Sequence, residues 1–233
     1  LGVSYAERQN ETYLLGEPFS FIPFENSGKS ESIIRRFWQE YTWRSNTQVL
    51  ALRSTFSETS TNLKEPQGQA AVSAGPDKTY DMWIGQFVYV HKIMENGAQI
   101  SIRGTYQDNQ DSALPTDDFV LGGISTIRGF RENQFVFDTG HILNLEFEYP
   151  LLAAGRNGLS LSLKPFIDYG RGENNPDGEQ TTLSSTGLAF STAYRGVSAD
   201  LVLAKGLTYP GYADNRDDTW QDKGVHFRLG YHF

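Results

Sequence analysis

The chain of 233 residues is long enough for one large domain or two small ones. Its 20 basic and 28 acidic residues give a net charge of −8, which argues against a nucleic-acid partner because such a partner calls for a basic surface. Cysteine is absent, which excludes disulfides and thiolate metal sites, and no apolar run approaches the ~18 residues of a transmembrane helix.

Alternation of polar and apolar residues with a period of two runs through almost the whole chain, and helical periodicity is nearly absent. The alternation predicts about eleven strands, roughly twice as long as the ~5–6 residues of an average strand in a soluble protein. Such lengths favour strands that span a membrane. The predicted strands are residues 1–8, 12–22, 33–45, 47–58, 80–93, 97–108, 140–152, 159–170, 181–194, 196–206 and 224–233.

The alternation is clearest in the second half of the chain. Between residues 143 and 151 every second residue is apolar, while Glu146 and Glu148 lie on the opposite face. The same parity places Asp168 on the polar face of the next strand. In a soluble sandwich the polar face would meet water outside, whereas in a membrane barrel it lines the lumen and the apolar face meets lipid.

The predicted connections alternate between short and long, with long ones near residues 25–32, 58–79, 107–139, 170–180 and 206–223. Outer-membrane barrels combine short periplasmic turns with long outer loops. This rule predicts a periplasmic C-terminus and a first strand that runs inward. Because complete single-chain barrels have an even number of strands, we expect residues 1–233 to be the C-terminal portion of a larger barrel.

The connection near residues 107–139 contains the sequence LGGISTIRGF at 121–130. Its glycines can adopt positive φ, which permits a tight hairpin in a crowded space, although ordinary turn glycines would be placed the same way. An arginine between such residues is a candidate for a specific buried contact. The candidate loop residues are Gly122, Gly123, Ile127, Arg128, Gly129 and Phe130.

These segments resemble the two-partner secretion transporters of ShlB/FhaC/HecB type, which share a superfamily with the barrel assembly factors. GGISTIRGF at 122–130 matches the family's loop motif with V-R-G-Y at its core, and PFIDYG at 165–170 matches its F-x-D-x-G strand motif. The core reads I-R-G-F here, so the arginine and glycine are kept. Supporting stretches are VLALRSTFSE at 49–58, WIGQFVYVHKI at 83–93 and TWQDKGVHFRLGYHF at 219–233.

The resemblance implies an all-β transmembrane barrel of about 16 antiparallel strands in the outer membrane. In this family the barrel is preceded by POTRA domains and a plug helix, none of which is found in residues 1–233. The implied function is export of one large adhesin- or haemolysin-like exoprotein, with no enzymatic activity and no cofactor. Besides that secreted partner, the resemblance implies contact with outer-membrane lipid and with the barrel assembly machinery.

In the resembled family the loop folds back into the barrel and its arginine contacts the strand aspartate, which implies that Arg128 contacts Asp168. A guanidinium suits a bidentate carboxylate pair, and an unpaired buried charge would be very costly. Two glutamates of the preceding strand are possible second acceptors. The alternative is that Arg128 lies in an exposed loop and only adds solubility. The candidate wall residues are Asp168, Phe166, Gly170, Glu146 and Glu148.

The last predicted strand alternates and ends on an aromatic residue. It resembles the C-terminal signal that the barrel assembly machinery reads, and it is also simply the last lipid-facing strand. Its candidate residues are Phe227, Leu229, Tyr231 and Phe233.

Other functions remain as alternatives at this point. A barrel-assembly factor of BamA/TamA type would carry the same loop arginine, although the wording of residues 83–93 and 219–233 favours secretion. A passive porin would not be expected to carry the loop motif. An outer-membrane enzyme would need a nucleophile and a base, and no G-x-S-x-G motif or metal-ligand spacing of the four histidines is present.

Overall fold

The computed structural model describes residues 1–19, 28–62, 78–109, 111–153, 158–175, 178–208 and 219–232. Within this part of the chain, ten strands form one antiparallel sheet in which each strand pairs with the next sheet strand along the chain. No helix in the described ranges is long and apolar enough to cross a membrane. The all-β antiparallel architecture predicted from the alternation is confirmed.

The strands are, in chain order, β1 Gly2–Glu11, β2 Tyr13–Leu14, β3 Glu17–Pro18, β4 Lys29–Arg44, β5 Gln48–Thr61, β6 Thr79–Lys92, β7 Gln99–Asn109, β8 Phe119–Leu121, β9 Phe135–Phe137, β10 Thr139–Leu152, β11 Leu159–Glu173, β12 Gln180–Tyr194, β13 Val197–Gly206 and β14 Val225–Tyr231. Strands β2 and β3 pair as one short hairpin, and β8 and β9 pair as another. The other ten form the large sheet, with strand lengths from 7 to 16 residues.

The predicted strand over residues 12–22 is wrong in the part that the structure describes. Leu15 and Gly16 have φ angles of 54° and 88°, the left-handed conformations of a tight hairpin turn, so the chain reverses between β2 and β3. The large sheet therefore has ten strands, and β1 pairs directly with β4. With ten strands, β1 begins at the end of the sheet where the short turns lie, so the prediction that the first strand runs inward is also wrong. Because ten is an even number, the strand count no longer supports the prediction that part of a barrel is missing.

Most of the connections follow the predicted asymmetry in length. The predicted long connection near residues 170–180 is wrong, because β11 and β12 are joined by six residues, as many as join β6 to β7. Three residues join β4 to β5 and two join β12 to β13, and both turns lie at the same end of the strands. At the opposite end of the strands, residues 62–78 join β5 to β6, residues 110–138 join β7 to β10, and residues 207–224 join β13 to β14. Parts of the predicted long loops, at 63–77 and 209–218, lie outside the described residues.

The two faces of the sheet differ in chemistry because side chains alternate along every strand. One face, here called the outer face, exposes large apolar side chains, among them Leu145, Ile167, Leu203 and Phe227. The opposite, inner face carries polar and charged residues on β10 to β14. Its fully buried members Asp168 and Ser185 lie beneath other parts of the chain.

The long connection between β7 and β10 folds back over the inner face. We call residues 119–137 the motif loop: β8, the tip at 122–134, and β9. Its apolar side chains pack against inner-face residues of β10 and β12, so that a single-layered sheet acquires a small buried core. The members of this core are Phe119, Leu121, Ile127, Phe130, Phe137, Ile142 and Leu183.

Two glycines of the inner face make room for this packing. A Cβ at Gly140 would lie 2.2 Å from the ring of Phe119, and one at Gly172 would lie 2.0 Å from the ring of Phe137. No side chain fits at either distance unless the ring moves. The glycines therefore determine how closely the motif loop approaches the wall.

We expect Gly172→Val to displace the ring of Phe137 and weaken docking of the motif loop. Hydrogen exchange on the purified full-length protein should show protection of residues 119–137 reduced about tenfold or more, because overpacking of a tight contact costs ~1–3 kcal/mol. The control is Gly85→Ala on the outer face, where the nearest atoms lie 3.2 Å from a Cβ. Unchanged loop protection in Gly172→Val would refute the close approach described here.

Candidate functional site

Backbone hydrogen bonds within the motif loop fix the conformation of its tip, apart from any contact with the sheet. The amide of Gly123 donates to the carbonyl of Ile127 at 3.2 Å, and the amide of Asn133 donates to the carbonyl of Gly122 at 3.3 Å. Gly122 and Gly123 have φ angles of 103° and 111°, which non-glycine residues rarely adopt. A Cβ at Gly122 would also lie 2.5 Å from the carbonyl oxygen of Arg131. These glycines thus permit the tight tip that presents Arg128.

Arg128 is clamped between two carboxylates of the sheet. Its Nε and Nη2 donate to Oδ2 and Oδ1 of Asp168, each at 2.8 Å, and its backbone amide donates to Oδ2 at 3.1 Å. Its Nη1 donates to Oε2 of Glu146 at 2.6 Å. The side chains of Arg128, Asp168 and Glu146 are 8%, 0% and 11% exposed, so water scarcely competes for these bonds.

Further contacts orient both partners of this pair. The guanidinium carbon of Arg128 lies 3.5 Å from the centre of the Phe166 ring, a cation–π contact. Nδ2 of Asn144 donates to Oδ1 of Asp168 at 2.8 Å and to the carbonyl of Thr126 at 2.7 Å, which ties the wall to the loop backbone. Burial disfavours the charged form of Arg128, but the hydrogen bonds that Arg128 donates to Asp168 and Glu146, together with their charges, outweigh burial and raise the pKa of Arg128.

The structure brings the other candidate loop residues to the same wall. Ile127 is fully buried and Phe130 nearly so, both within the core of the motif loop. Gly170 lies beneath that core: a Cβ there would be 2.9 Å from Leu121 and 3.0 Å from Ile127. The F-x-D-x-G motif therefore supplies the ring, the carboxylate and the clearance that the loop needs on one strand face.

Glu148 is not a partner of Arg128, contrary to expectation. It lies two residues beyond Glu146 on β10, about 7 Å further along the strand. Its carboxylate instead accepts a hydrogen bond from Nε2 of Gln99 at 3.0 Å and lies 3.8 Å from Nζ of Lys164. Sequence parity could not distinguish the two glutamates, because both face inward.

The candidate residues of the last strand lie on the outer face. Phe227, Leu229 and Tyr231 are each about two-thirds exposed, as side chains that face lipid would be. Phe233 lies outside the described residues. Phe227, Leu229 and Tyr231 point away from the inner face and do not approach Arg128.

Sequence reasoning missed a second set of contacts, made by the segment before and at the start of β14. The amide of Gly129 donates to Nε2 of His226 at 3.0 Å, and the guanidinium of Arg131 forms an ion pair with Asp222. The hydrogen bond from Arg131 holds the pKa of Asp222 well below its ordinary value. Nothing in the spacing of these residues along the chain indicates that they meet.

Comparison with known proteins identifies the family. The model of the haemolysin secretion/activation protein family ShlB/FhaC/HecB matches residues 44–193, which include the motif loop and both carboxylates that bind Arg128. The chain belongs to the ShlB/FhaC/HecB family. No curated protein gives a significant match.

Two solved structures are similar to this ShlB/FhaC/HecB-family chain. CdiB from Escherichia coli matches with a TM-score of 0.72 at 16% identity, covering 98% of this chain and 41% of the CdiB chain. CdiB from Acinetobacter baumannii matches with a TM-score of 0.49 at 16% identity, covering 79% of this chain and 40% of that one. The first similarity shows a shared fold, and the chain spans about two-fifths of the CdiB chain's length.

Beside Arg128, the motif loop and the inner face of the sheet line a polar cavity of about 250 Å³. Charged residues of both signs line it, including Arg103, Lys164, Asp200 and Arg228. No group of three or more acidic or histidine side chains in the described ranges is arranged to hold a metal ion. The charge pairs around Arg128 are suited to holding the loop against the sheet.

A second feature of this region is an acidic cluster where the motif loop leaves the sheet. Burial, followed by the charges of Asp138 and Asp117, raises the pKa of Asp118 to about 7. Between the ordinary value of 3.8 and about 7, the folded protein therefore holds more protons than the unfolded chain. By linkage, stability falls as the pH rises through this window.

We expect Asp118→Asn to remove this pH dependence. Because the carboxyl is half buried, a shift of about three pKa units amounts to about 1–2 kcal/mol after solvent screening. Protection of residues 111–121 against hydrogen exchange, corrected for intrinsic rates, should fall about three- to tenfold from pH 5 to pH 8 in the parent protein but not in Asp118→Asn, since this range covers about two-thirds of the window. Asp111→Asn serves as the control and should behave like the parent. A parent protein whose protection does not change with pH would contradict the prediction.

Proposed function

We propose that this chain forms the wall of an outer-membrane pore that exports a large partner exoprotein in two-partner secretion. The observation that carries the proposal is the buried contact of Arg128 with Asp168 and Glu146, which holds the motif loop against the inner face. A passive porin would not be expected to carry a folded-in loop with this motif. The family match favours secretion over the alternative, a barrel-assembly factor of BamA/TamA type.

The two faces of the sheet support a location in the outer membrane. Apolar side chains exposed on the outer face suit contact with outer-membrane lipid, and the polar inner face suits the passage of an unfolded polypeptide. We also propose that residues 1–233 are the C-terminal portion of a barrel of about 16 strands, because the chain belongs to this family and spans about two-fifths of the length of the CdiB chain. In this proposal the barrel assembly machinery reads β14 together with Phe233 during insertion.

The mechanism follows from the difference between the wall and the loop. Each sheet strand is held by a ladder of backbone hydrogen bonds, whereas the motif loop depends on a few side-chain contacts around Arg128. Loss of those contacts would free the part of the loop around Arg128 and leave the wall intact. The pair thus sets the position of the loop in the export pathway without contributing to the chemistry of any reaction.

The proposal predicts that Arg128→Ala in the full-length protein sharply reduces export while the barrel remains inserted. Removing one partner of a buried ion pair costs about 3–5 kcal/mol locally, enough to displace the part of the loop around Arg128 but not to unfold a barrel. Asp168→Ala should have the same effect, and the double variant should be little worse than either single one. Secreted partner in the medium and heat-modifiability of the barrel on gels are the two measurements.

The matched control is Arg53→Ala, because Arg53 pairs with Glu40 in an ion pair whose side chains are about half exposed. Its export should remain close to that of the parent, since exposed pairs contribute little. Normal export by Arg128→Ala, or losses that add in the double variant, would show that Arg128 and Asp168 do not act as a pair.

Topology provides an independent prediction. Glu179 lies in the six-residue connection between β11 and β12, at the end of the sheet that carries the long connections, and should face the outside. Glu95 lies between β6 and β7, at the end that carries the short turns, and should face the periplasm. Since residues 1–233 contain no cysteine, single cysteines at these positions can be labelled selectively if the remainder of the protein is also cysteine-free. On intact cells an impermeant maleimide should react with Glu179→Cys and not with Glu95→Cys. Labelling in the reverse order would refute the proposed orientation.

A further inference from the structure

The motif loop is attached to the protein at a second place, far along the sequence from the carboxylates that bind Arg128. Arg131 directs Nε and Nη2 to the two carboxylate oxygens of Asp222, a bidentate ion pair between segments 91 residues apart. Two residues before Arg131, the amide of Gly129 donates a hydrogen bond to Nε2 of His226. Asp222 lies in the turn before β14, and His226 is the second residue of β14.

Besides its ion pair with Arg131, the carboxylate of Asp222 is fixed by hydrogen bonds within its own turn. The amide and the hydroxyl of Thr219 both donate to Oδ2 of Asp222, at 2.9 and 2.7 Å. The same turn is fastened to β13, because the amide of Ala204 donates to the carbonyl of Gly224 at 2.8 Å. Gly224 has a φ of 74°, and a Cβ there would lie 1.9 Å from the carbonyl oxygen of Ala204. An acceptor fixed in this way loses little entropy when the guanidinium binds.

The contact with His226 has a defined protonation state. Nε2 accepts the hydrogen bond from Gly129, so the proton of the neutral ring must be on Nδ1. His226 is buried on the inner face of β14, at the side of the loop opposite to β10. The loop therefore bridges two parts of the sheet. Arg128 contacts β10 and β11, whereas Gly129 contacts β14 and Arg131 contacts the turn before it.

We propose that Arg131 and Asp222 are a positioning pair that holds the C-terminal half of the motif loop against the segment before β14, so that the loop is released for export only when this attachment and the Arg128 contacts both open. The inference rests on the proposed secretion function for its consequence, but the attachment itself can be measured without export. Residue 222 lies beyond the matched family region, 44–193.

The side chains of Arg131 and Asp222 are 25% and 29% exposed, compared with 8% and 0% for Arg128 and Asp168. The second attachment should therefore be the weaker one. Charge pairs of this exposure, when the geometry is bidentate and the acceptor is fixed, typically change an equilibrium about three- to tenfold. Loss of Arg131 should accordingly loosen the loop without abolishing docking.

Ser185 offers a reporter for docking. It lies on the inner face between Asp168 and Gly206 in register, is fully buried, and its hydroxyl has no hydrogen-bond partner among the described residues. Ser185→Cys is a nearly isosteric change that sacrifices no hydrogen bond. Because residues 1–233 contain no cysteine, the rate at which this thiol reacts with N-ethylmaleimide in the otherwise cysteine-free full-length protein measures how often the loop leaves the wall.

In this background Arg131→Gln and Asp222→Asn should each increase the alkylation rate about three- to tenfold. Asp222→Asn removes the charge but keeps an oxygen for Thr219, so the turn itself is retained. The double variant should be no faster than the faster single variant, because each removes the same contact. Arg131→Lys, which keeps the charge but not the bidentate geometry, should fall between the parent and Arg131→Gln.

The control is Arg35→Ala, which removes an ion pair with Glu58 on the outer face and should leave the alkylation rate unchanged. Unchanged rates in Arg131→Gln and Asp222→Asn, or rate increases that multiply in the double variant, would overturn the proposal. Barrel insertion is checked by heat-modifiability, and a variant that fails this check is replaced by Arg131→Lys, for which a parent-like rate would also overturn it.

Export measured in the same strains separates this inference from the proposed function. If Arg131→Gln and Asp222→Asn accelerate alkylation but neither they nor Arg128→Ala alter export, the attachment is real and the secretion role of the loop is wrong. If Arg128→Ala reduces export while the Arg131 and Asp222 variants leave the thiol protected, secretion stands and the positioning pair is wrong.

Discussion

The arrangement of this chain depends on one buried charge. A guanidinium taken out of water is tolerated only where carboxylates and a ring replace its hydration, and Arg128 finds Asp168, Glu146 and the face of Phe166. Asn144 then satisfies the remaining side of Asp168. Because these partners come from two adjacent strands, the loop can dock in only one register on the wall.

The apolar packing around this charge compensates for a limit of the architecture. A sheet with one face towards lipid and the other towards a polar lumen cannot build a core between two layers. The motif loop supplies the missing layer locally, with Leu121 and Ile127 fully buried against the wall. Glycines at positions 140, 170 and 172 provide the clearance, so the wall is shaped for the loop as much as the loop for the wall.

Wall and loop are consequently held by different interactions. The strands depend on backbone hydrogen bonds, which are numerous and independent of side-chain identity, while the loop depends on charge pairs at two places. A protein that must stay inserted while one element moves benefits from this division. Through Asp222 and His226 the loop also contacts β14 and the turn before it. Two strands of the sheet separate β14 from β11, which the loop contacts through Asp168.

The sequence alone determined the strand class, the two faces and most of the asymmetry of the connections, because period-two alternation is a local property. The pairing of Arg128 with Asp168 was implied only by the family resemblance that two short motifs carry. The alternation misassigned residues 12–22, where the turn at Leu15 and Gly16 interrupts an alternating pattern. Only the tertiary structure decided between Glu146 and Glu148, which have the same parity and differ in height along β10. It alone brought Arg131 to Asp222, since a contact across 91 residues depends on how the loop folds over the sheet and leaves no pattern in the chain.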